Sequence, residues 1–386
     1  MQRFIAGTVL IAAALEVMAS DSSIKIDALY TGELWRNTTG GLRTGWKFLG
    51  DLDIAMEVDG ERALGLDGVT LFANGLFIHG GSLSGQLLGD VQTASNIEAT
   101  RQARLFELWV EKTYGAVHGP SLRVGLYDLN SEFDSSEVSS LFINSSHGIG
   151  PQIAQTGLNG PSIFPATALG ARVRWTPART WNAQLAVLDG VPGHPDRPAS
   201  NDLRLDRDDG LLIVTEVSRA GARRSRLALG AWSYTAKFDE IAPESAAEPI
   251  RRSRDNHGVY VVLEGHSEQG LSAFLRGGTA NGRLNAFDEY IGAGVVYTGL
   301  LDRRPEDQLG FAIASVANGR EYLSMRRADG AEADARETTL ELTYRFATHE
   351  WLTLQGVIQH IINPGMDPAL DDATAVALRF ELKVGR

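Results

Sequence analysis

Side-chain polarity in this chain alternates with period two, and that pattern limits its fold more than any other feature. In residues 336–346, Leu340, Leu342, Tyr344 and Phe346 share one parity, while Thr339, Glu341, Thr343 and Arg345 share the other. Alternation of this kind makes a β-strand with one apolar and one charged face. In 45–58, Trp46, Phe48, Leu52, Ile54, Met56 and Val58 oppose Lys47, Asp51, Asp53 and Glu57. In the last segment Val376, Leu378, Phe380, Leu382 and Val384 oppose Arg379, Glu381 and Lys383. In 104–114, Phe106, Leu108 and Val110 oppose Glu107, Trp109 and Glu111; in 168–176, Leu169, Val173 and Trp175 oppose Arg172 and Arg174. A soluble sheet would bury the apolar face, whereas a membrane barrel turns it to lipid and keeps the polar face for an inner channel.

The number and spacing of these segments favour the barrel. About sixteen alternating stretches run along the chain, at 28–36, 45–58, 69–79, 104–114, 121–128, 168–176, 181–189, 211–218, 226–235, 257–266, 271–280, 290–299, 308–317, 336–346, 351–361 and 374–384. Their length of roughly ten residues suits a tilted strand crossing a bilayer and exceeds the usual sandwich strand. Long connections (129–167, 190–210, 236–256, 318–335) mostly alternate with short ones (177–180, 219–225, 267–270, 347–350). Outer-membrane barrels show this asymmetry. The gap at 59–68 is too long for a tight turn and runs against it. So many strands in one open sheet would leave aggregation-prone edges, and closure removes them. Tyr30, Trp35, Trp46, Tyr114, Trp175, Trp181, Tyr344 and Trp351 fall near strand ends and fit interfacial girdles.

Composition removes several functional classes. After the first fifteen residues no apolar run is long enough for a spanning helix. The 42 glycines suit an all-β chain with many turns, and a net charge of -12 argues against nucleic acid as a partner. With no cysteine, thiolate catalysis, disulfides and thiolate metal sites are excluded. The eight histidines form no H-E-x-x-H, and the nearest approach to G-x-S-x-G, "GGSLSG" at 80–85, fails at its last glycine. His79 and His360 have no evident nucleophile partner. No catalytic residue, metal site or cofactor is therefore assigned. The N-terminus carries Arg3, an apolar run from Phe4 to Leu15 and a cleavage-like Val17-Met18-Ala19. Residues 1–19 thus read as a signal peptide and 20–386 as a single domain.

Several blocks resemble the carbohydrate-selective porins of the OprB family: "YTGELWRNTTGGLRTG" at 30–45, "LRVGLYDLNSEF" at 122–133, "SSLFINSSHGIGP" at 139–151, "IFPATALGARVRW" at 163–175, "TTLELTYRFATHEWLTLQGVIQHIINPG" at 338–365 and "ALRFEL" at 377–382. The resemblance implies a sixteen-stranded barrel in the outer membrane of a Gram-negative bacterium, passing sugars by diffusion. It also implies that loop 129–167 folds into the lumen as a constriction. Outer-membrane lipid and lipopolysaccharide would surround such a barrel, and assembly machinery would insert it. Barrels of this kind usually finish on an aromatic residue; here Phe380 precedes the terminal Arg386 by several positions. Whether protomers form a homo-oligomer is left open.

A neutral, hydroxyl-rich solute calls for donors, acceptors and an aromatic face without a field of one sign. Inward positions supply Arg104, Arg123, Arg172 and Arg174; Asp51, Asp53, Glu57, Glu107 and Glu111; and Trp109 and Tyr127. The constriction loop adds Asp128, Asn130, Glu132 and His147, the last more suited to closing a turn. Asp128, Asn130, Glu132 and Asp134 mimic the start of an EF-hand, but Phe133 replaces its glycine and Ser139 its glutamate. These side chains are expected to cap a short helix or tie the loop to the wall instead. The rival readings are a general or cation-preferring porin and, more distantly, an outer-membrane barrel hydrolase.

Overall fold

The computed structural model describes residues 23–115, 119–201, 203, 205–241 and 251–385; the expected signal peptide lies outside them. The strands are β1 (Ile24–Thr39), β2 (Gly45–Asp59), β3 (Val69–Gly80), β4 (Gln102–Thr113), β5 (Ser121–Tyr127), β6 (Ala168–Ala178), β7 (Trp181–Asp189), β8 (Leu211–Ala220) and β9 (Arg226–Tyr234). They continue as β10 (Phe238–Asp239), β11 (Arg252–Ser253), β12 (His257–His266), β13 (Leu271–Ala280), β14 (Phe287–Thr298), β15 (Gln308–Asn318), β16 (Arg336–His349), β17 (Leu352–Ile362) and β18 (Ala373–Val384). Sixteen of them form a closed antiparallel barrel, sealed where β1 pairs with β18; β10 and β11 are a separate ribbon in the β9–β12 connection. Each of the sixteen expected segments is a barrel strand.

The connections gather their length at one end, hereafter the loop end; the other is the turn end. The long gap after β2 holds a short helix, α1 (Gly60–Leu64). Asp59 Oδ1 accepts from the amides of Glu61 and Arg62, and Gly65 closes the helix at φ 70, a conformation that favours glycine. A capped helical turn, not a long loop, accounts for 59–68.

Parity sets the two faces as expected. Leu342, Leu378 and Val110 are exposed on the outside, while Glu107 and Arg379 are buried within. Leu105, Leu229, Val259, Leu275, Ile291, Phe311 and Ile358 extend the outer apolar surface around the barrel. Trp46, Tyr114, Trp175, Trp181 and Trp351 are exposed, in keeping with girdles. Trp35 is not a girdle residue: it is fully buried inside, and its Nε1 donates to Glu33 at 2.6 Å.

The bulged β3–β4 ladder corrects a second detail. Its register shifts between Asn74, opposite Glu107, and Gly75, opposite Leu105. The extra residue turns Phe106 inward against Leu76 and Ile78 and passes the outward position to Leu105. The bulge is also why Arg104 and Glu107, of opposite parity, can both face inward.

The inner face is not uniformly polar. Loop 81–101 lays Leu83, Leu87 and Leu88 against Trp35, Leu49, Val357 and Ile361 inside the barrel. Loop 128–167 sets Leu129, Phe133, Ile149 and Ile153 against Leu188, Leu212, Val214, Trp232 and Tyr260. Where loops press on the wall, inward positions are apolar or small, including Ala312, Ala314, Ala373 and Ala375. Burial of these surfaces supplies the loops' adhesion.

Candidate pore constriction

The candidate constriction is assembled from one loop and five adjacent strands, β3 to β7. Directly after β5, Asp128 Oδ1 accepts from Asn130 N at 3.0 Å and caps the turn Leu129–Ser131. Glu107 of β4 accepts from Asp128 N at 3.1 Å. Asn130 Nδ2 donates to the carbonyls of Phe133 (3.1 Å) and Gly148 (3.0 Å), which folds the loop back on itself. The result aims Glu132 at the wall.

Four wall positions converge there. Arg172 Nε donates to Glu132 Oε2 at 2.8 Å, and its Nη2 lies 3.0 Å from Glu111 Oε2. Arg172 Nη1 donates to Ser121 Oγ at 2.7 Å, so this fully buried guanidinium is satisfied on every side. Arg174 and the Tyr127 hydroxyl also bond Glu132. Arg123 pairs with Glu111 at 2.7 Å and lies over Trp109, 3.8 Å from its centroid; Phe72 stacks on the same indole. Gln184 Nε2 holds the Glu132 carbonyl at 2.9 Å. Three arginines thus alternate with two glutamates beside an aromatic stack. Such paired charges offer donors and acceptors together and no extended field of one sign.

The expected site residues divide by exposure. Arg123, Arg174, Trp109, Glu111, Asp53 and Asn130 are partly open, with 35% of the Arg174 side chain accessible. Arg172, Tyr127, Asp51, Glu107 and Arg104 are buried. Glu57 is exposed at the turn end, where it pairs with Lys25. Asp53 accepts from Asn74 at 3.4 Å and borders a cavity of about 540 Å³ with Asp27, Arg345, Glu381 and Lys383. Arg104 stands apart from the cluster, bonding the carbonyls of Pro198 (2.6 Å) and Ser200 (2.8 Å). His147 is fully buried between Phe142 and Phe274 at the end of the turn Ser145–His147. Burial, with Arg276 second, lowers its pKa to about 3, so the ring stays neutral. Burial, then Glu107, raises Asp128 to about 7.

Sequence reasoning missed a set of wall residues that hold the loops. Glu341 of β16 accepts from the amides of Ile143 (2.8 Å) and Asn144 (2.9 Å). Glu337 accepts from Val91 (2.9 Å), Gln92 (3.0 Å) and Gly365 (2.7 Å). Arg276 of β13 pairs with Asp134 at 2.7 Å and donates to Gly148 O at 2.9 Å. Arg379 pairs with Glu33 beneath loop 81–101, and Ser95 Oγ donates to the same carboxylate at 2.7 Å. Inward parity marks all of these as polar wall residues. Their partners are mostly loop backbone groups, which carry no sequence signal.

A closed sixteen-stranded barrel, apolar outside and narrowed by an inserted loop with a charged and aromatic wall, defines an outer-membrane porin. The sequence model of the carbohydrate-selective porin, OprB family, matches residues 43–383, and the chain belongs to that family. It is 23% identical to Porin B of Pseudomonas aeruginosa over 396 residues, covering 91% of this chain and 86% of the relative. The high-pH structure of Pseudomonas putida OprB superposes with a TM-score of 0.82 at 18% identity, covering 93% of this chain and 94% of that one. The low-pH structure of the same protein gives 0.59 at 15% identity, over 93% and 92%. The chain is a sugar porin of the Gram-negative outer membrane, and family and fold point to a channel rather than an enzyme.

Proposed function

We propose that passing sugars make their direct contacts with Arg174, Arg123, Trp109 and Glu111, while Arg172, Tyr127, Glu107 and Glu132 hold those groups in place. The division rests on one observation: the second set is sealed by its own hydrogen bonds, whereas the first keeps open surface beside the loop. A guanidinium fork and a carboxylate bridge neighbouring hydroxyls, and the indole supplies apolar surface to the C–H face of the ring. Contacts must stay weak for exit to follow binding, so affinity belongs near millimolar, about 4 kcal/mol. Asp51, Asp53 and Arg104 lie outside this group and support the wall, the turn-end cavity and a loop, respectively.

Single-channel current in a planar bilayer with rising glucose tests the assignment. Glucose should interrupt the wild-type current in proportion to its concentration. Arg174→Ala and Trp109→Ala should each raise the half-blocking concentration by about threefold to tenfold, a loss of one weak contact. Unchanged block in both variants would place sugar contact elsewhere.

A further inference from the structure

We propose that the cavity between the start of β4 and loops 128–167 and 190–210 is a separate subsite for one neutral sugar ring, at the loop-end mouth. The inference rests on the sugar-porin reading and extends it to a site outside the constriction. The cavity has a volume of about 330 Å³, and its walls include Gln102, Arg104, Asn159, Phe164, His194 and Pro198. Pockets for small molecules begin near that size, at about 300 Å³. Arg104 and Glu111 are seven positions apart on β4, so the cavity lies about 20 Å along the strand from the constriction cluster.

Asn159 and Gln155 of this cavity are held by loop carbonyls, but other polar atoms on its walls lack partners. Gln102 is 5% exposed, and neither its Nε2 nor its Oε1 has a hydrogen-bond partner among the described residues. Arg104 spends Nη2 on the two loop carbonyls and leaves Nε without a partner; His194 Nδ1 has none either. Buried donors and acceptors are seldom left unmet, so these point to a guest that supplies both. One carboxamide presents a donor and an acceptor side by side, which matches two neighbouring hydroxyls. An anion would use only the donors. No carboxylate or lysine lines the cavity, which disfavours a cation. Phe164, held edge-on by Phe106 at 6.3 Å, and the adjoining prolines supply apolar surface for the ring's C–H face. A sugar captured here waits at the mouth before entering the constriction.

The chain has no cysteine, so a single Thr100→Cys substitution gives a clean reporter on the exposed rim of the cavity. Its labelling by a water-soluble methanethiosulfonate, applied from the loop end of the reconstituted channel, is followed as glucose is raised. Glucose should slow labelling severalfold with half-protection at millimolar concentration, and Gln102→Leu in the same chain should raise that concentration about tenfold. If Gln102→Leu does not assemble, His194→Ala, in a loop, serves instead with a rise of about threefold. Absent protection, protection indifferent to these changes, or equal protection by inorganic phosphate would each overturn the subsite. Glucose block of the current, recorded in parallel, separates the outcomes: block without protection refutes this subsite alone, and loss of both refutes the sugar contacts proposed at the constriction as well.

Discussion

Replacing Glu132 with alanine removes a loop carboxylate that Arg123, Arg172, Arg174 and Tyr127 all face. The Arg172 side chain has no exposed surface and keeps only Glu111 at 3.0 Å and Ser121 at 2.7 Å. Breaking one side of a buried charge pair costs about 3–5 kcal/mol. Arg174 is over one-third exposed, so its share is screened and adds little. The lower end of the range, about 3 kcal/mol, therefore applies, or roughly a hundredfold in the population of undocked loop tip. The rest of the loop stays moored through Asp134–Arg276 and the two amides on Glu341. The share of time spent at the flickering, undocked conductance level should rise about a hundredfold while the barrel remains folded. The cluster also passes from three cations against two carboxylates to three against one, so the reversal potential in a salt gradient should shift toward anion preference. Wild-type flicker and wild-type reversal potential in Glu132→Ala would refute the claim that this carboxylate holds the constriction.

Other outcomes follow from single features. The Asp128 carboxyl, raised to about 7, is protonated in the docked loop over a window where a free aspartate, near 3.9, is ionised. Docking is then strongest below about pH 4 and weakens as pH rises through about 7, so flicker should increase from pH 5 to pH 8. Asp128→Asn keeps the cap and should flatten that dependence; an unaltered slope would clear Asp128 of the role. Leu342→Arg puts a charge on the lipid face and should lower stability by about 2–4 kcal/mol in urea titrations from vesicles; no loss would mean that face does not meet lipid. Gly230→Ala would set a methyl group 2.0 Å from the Tyr260 ring, whose hydroxyl donates to Glu216 at 2.9 Å. A loss of about 1–3 kcal/mol should lower the temperature at which the folded band disappears on gels.

Much of the fold could be read from the chain because period-two patterning leaves a mark at every second residue. β12 and β13 lie at the expected positions, 257–266 and 271–280. The misses have physical reasons. Phe106 changed faces because a bulge shifts parity without leaving a sequence mark. Val357, Ile361 and Val316 face inward although apolar, because loops rather than water cover them. Loop 81–101, whose Leu83, Leu87 and Leu88 pack inside, was not recognised as an insert since its leucines follow no strand period. The charged cluster was half legible. Arg123, Arg172 and Arg174 do come together, but Glu132 reaches them only through the fold of its loop, and Arg104 faces a different cavity.

Paired charges that favour a neutral polyol over an ion can be tested with three solutes of one ring size. Liposomes containing the protein are placed in glucose, glucuronate or glucosamine, and their swelling rates are compared. Glucose should enter faster than either charged sugar, and Arg174→Ala should narrow the difference. Faster entry of glucuronate or glucosamine than of glucose would contradict the account.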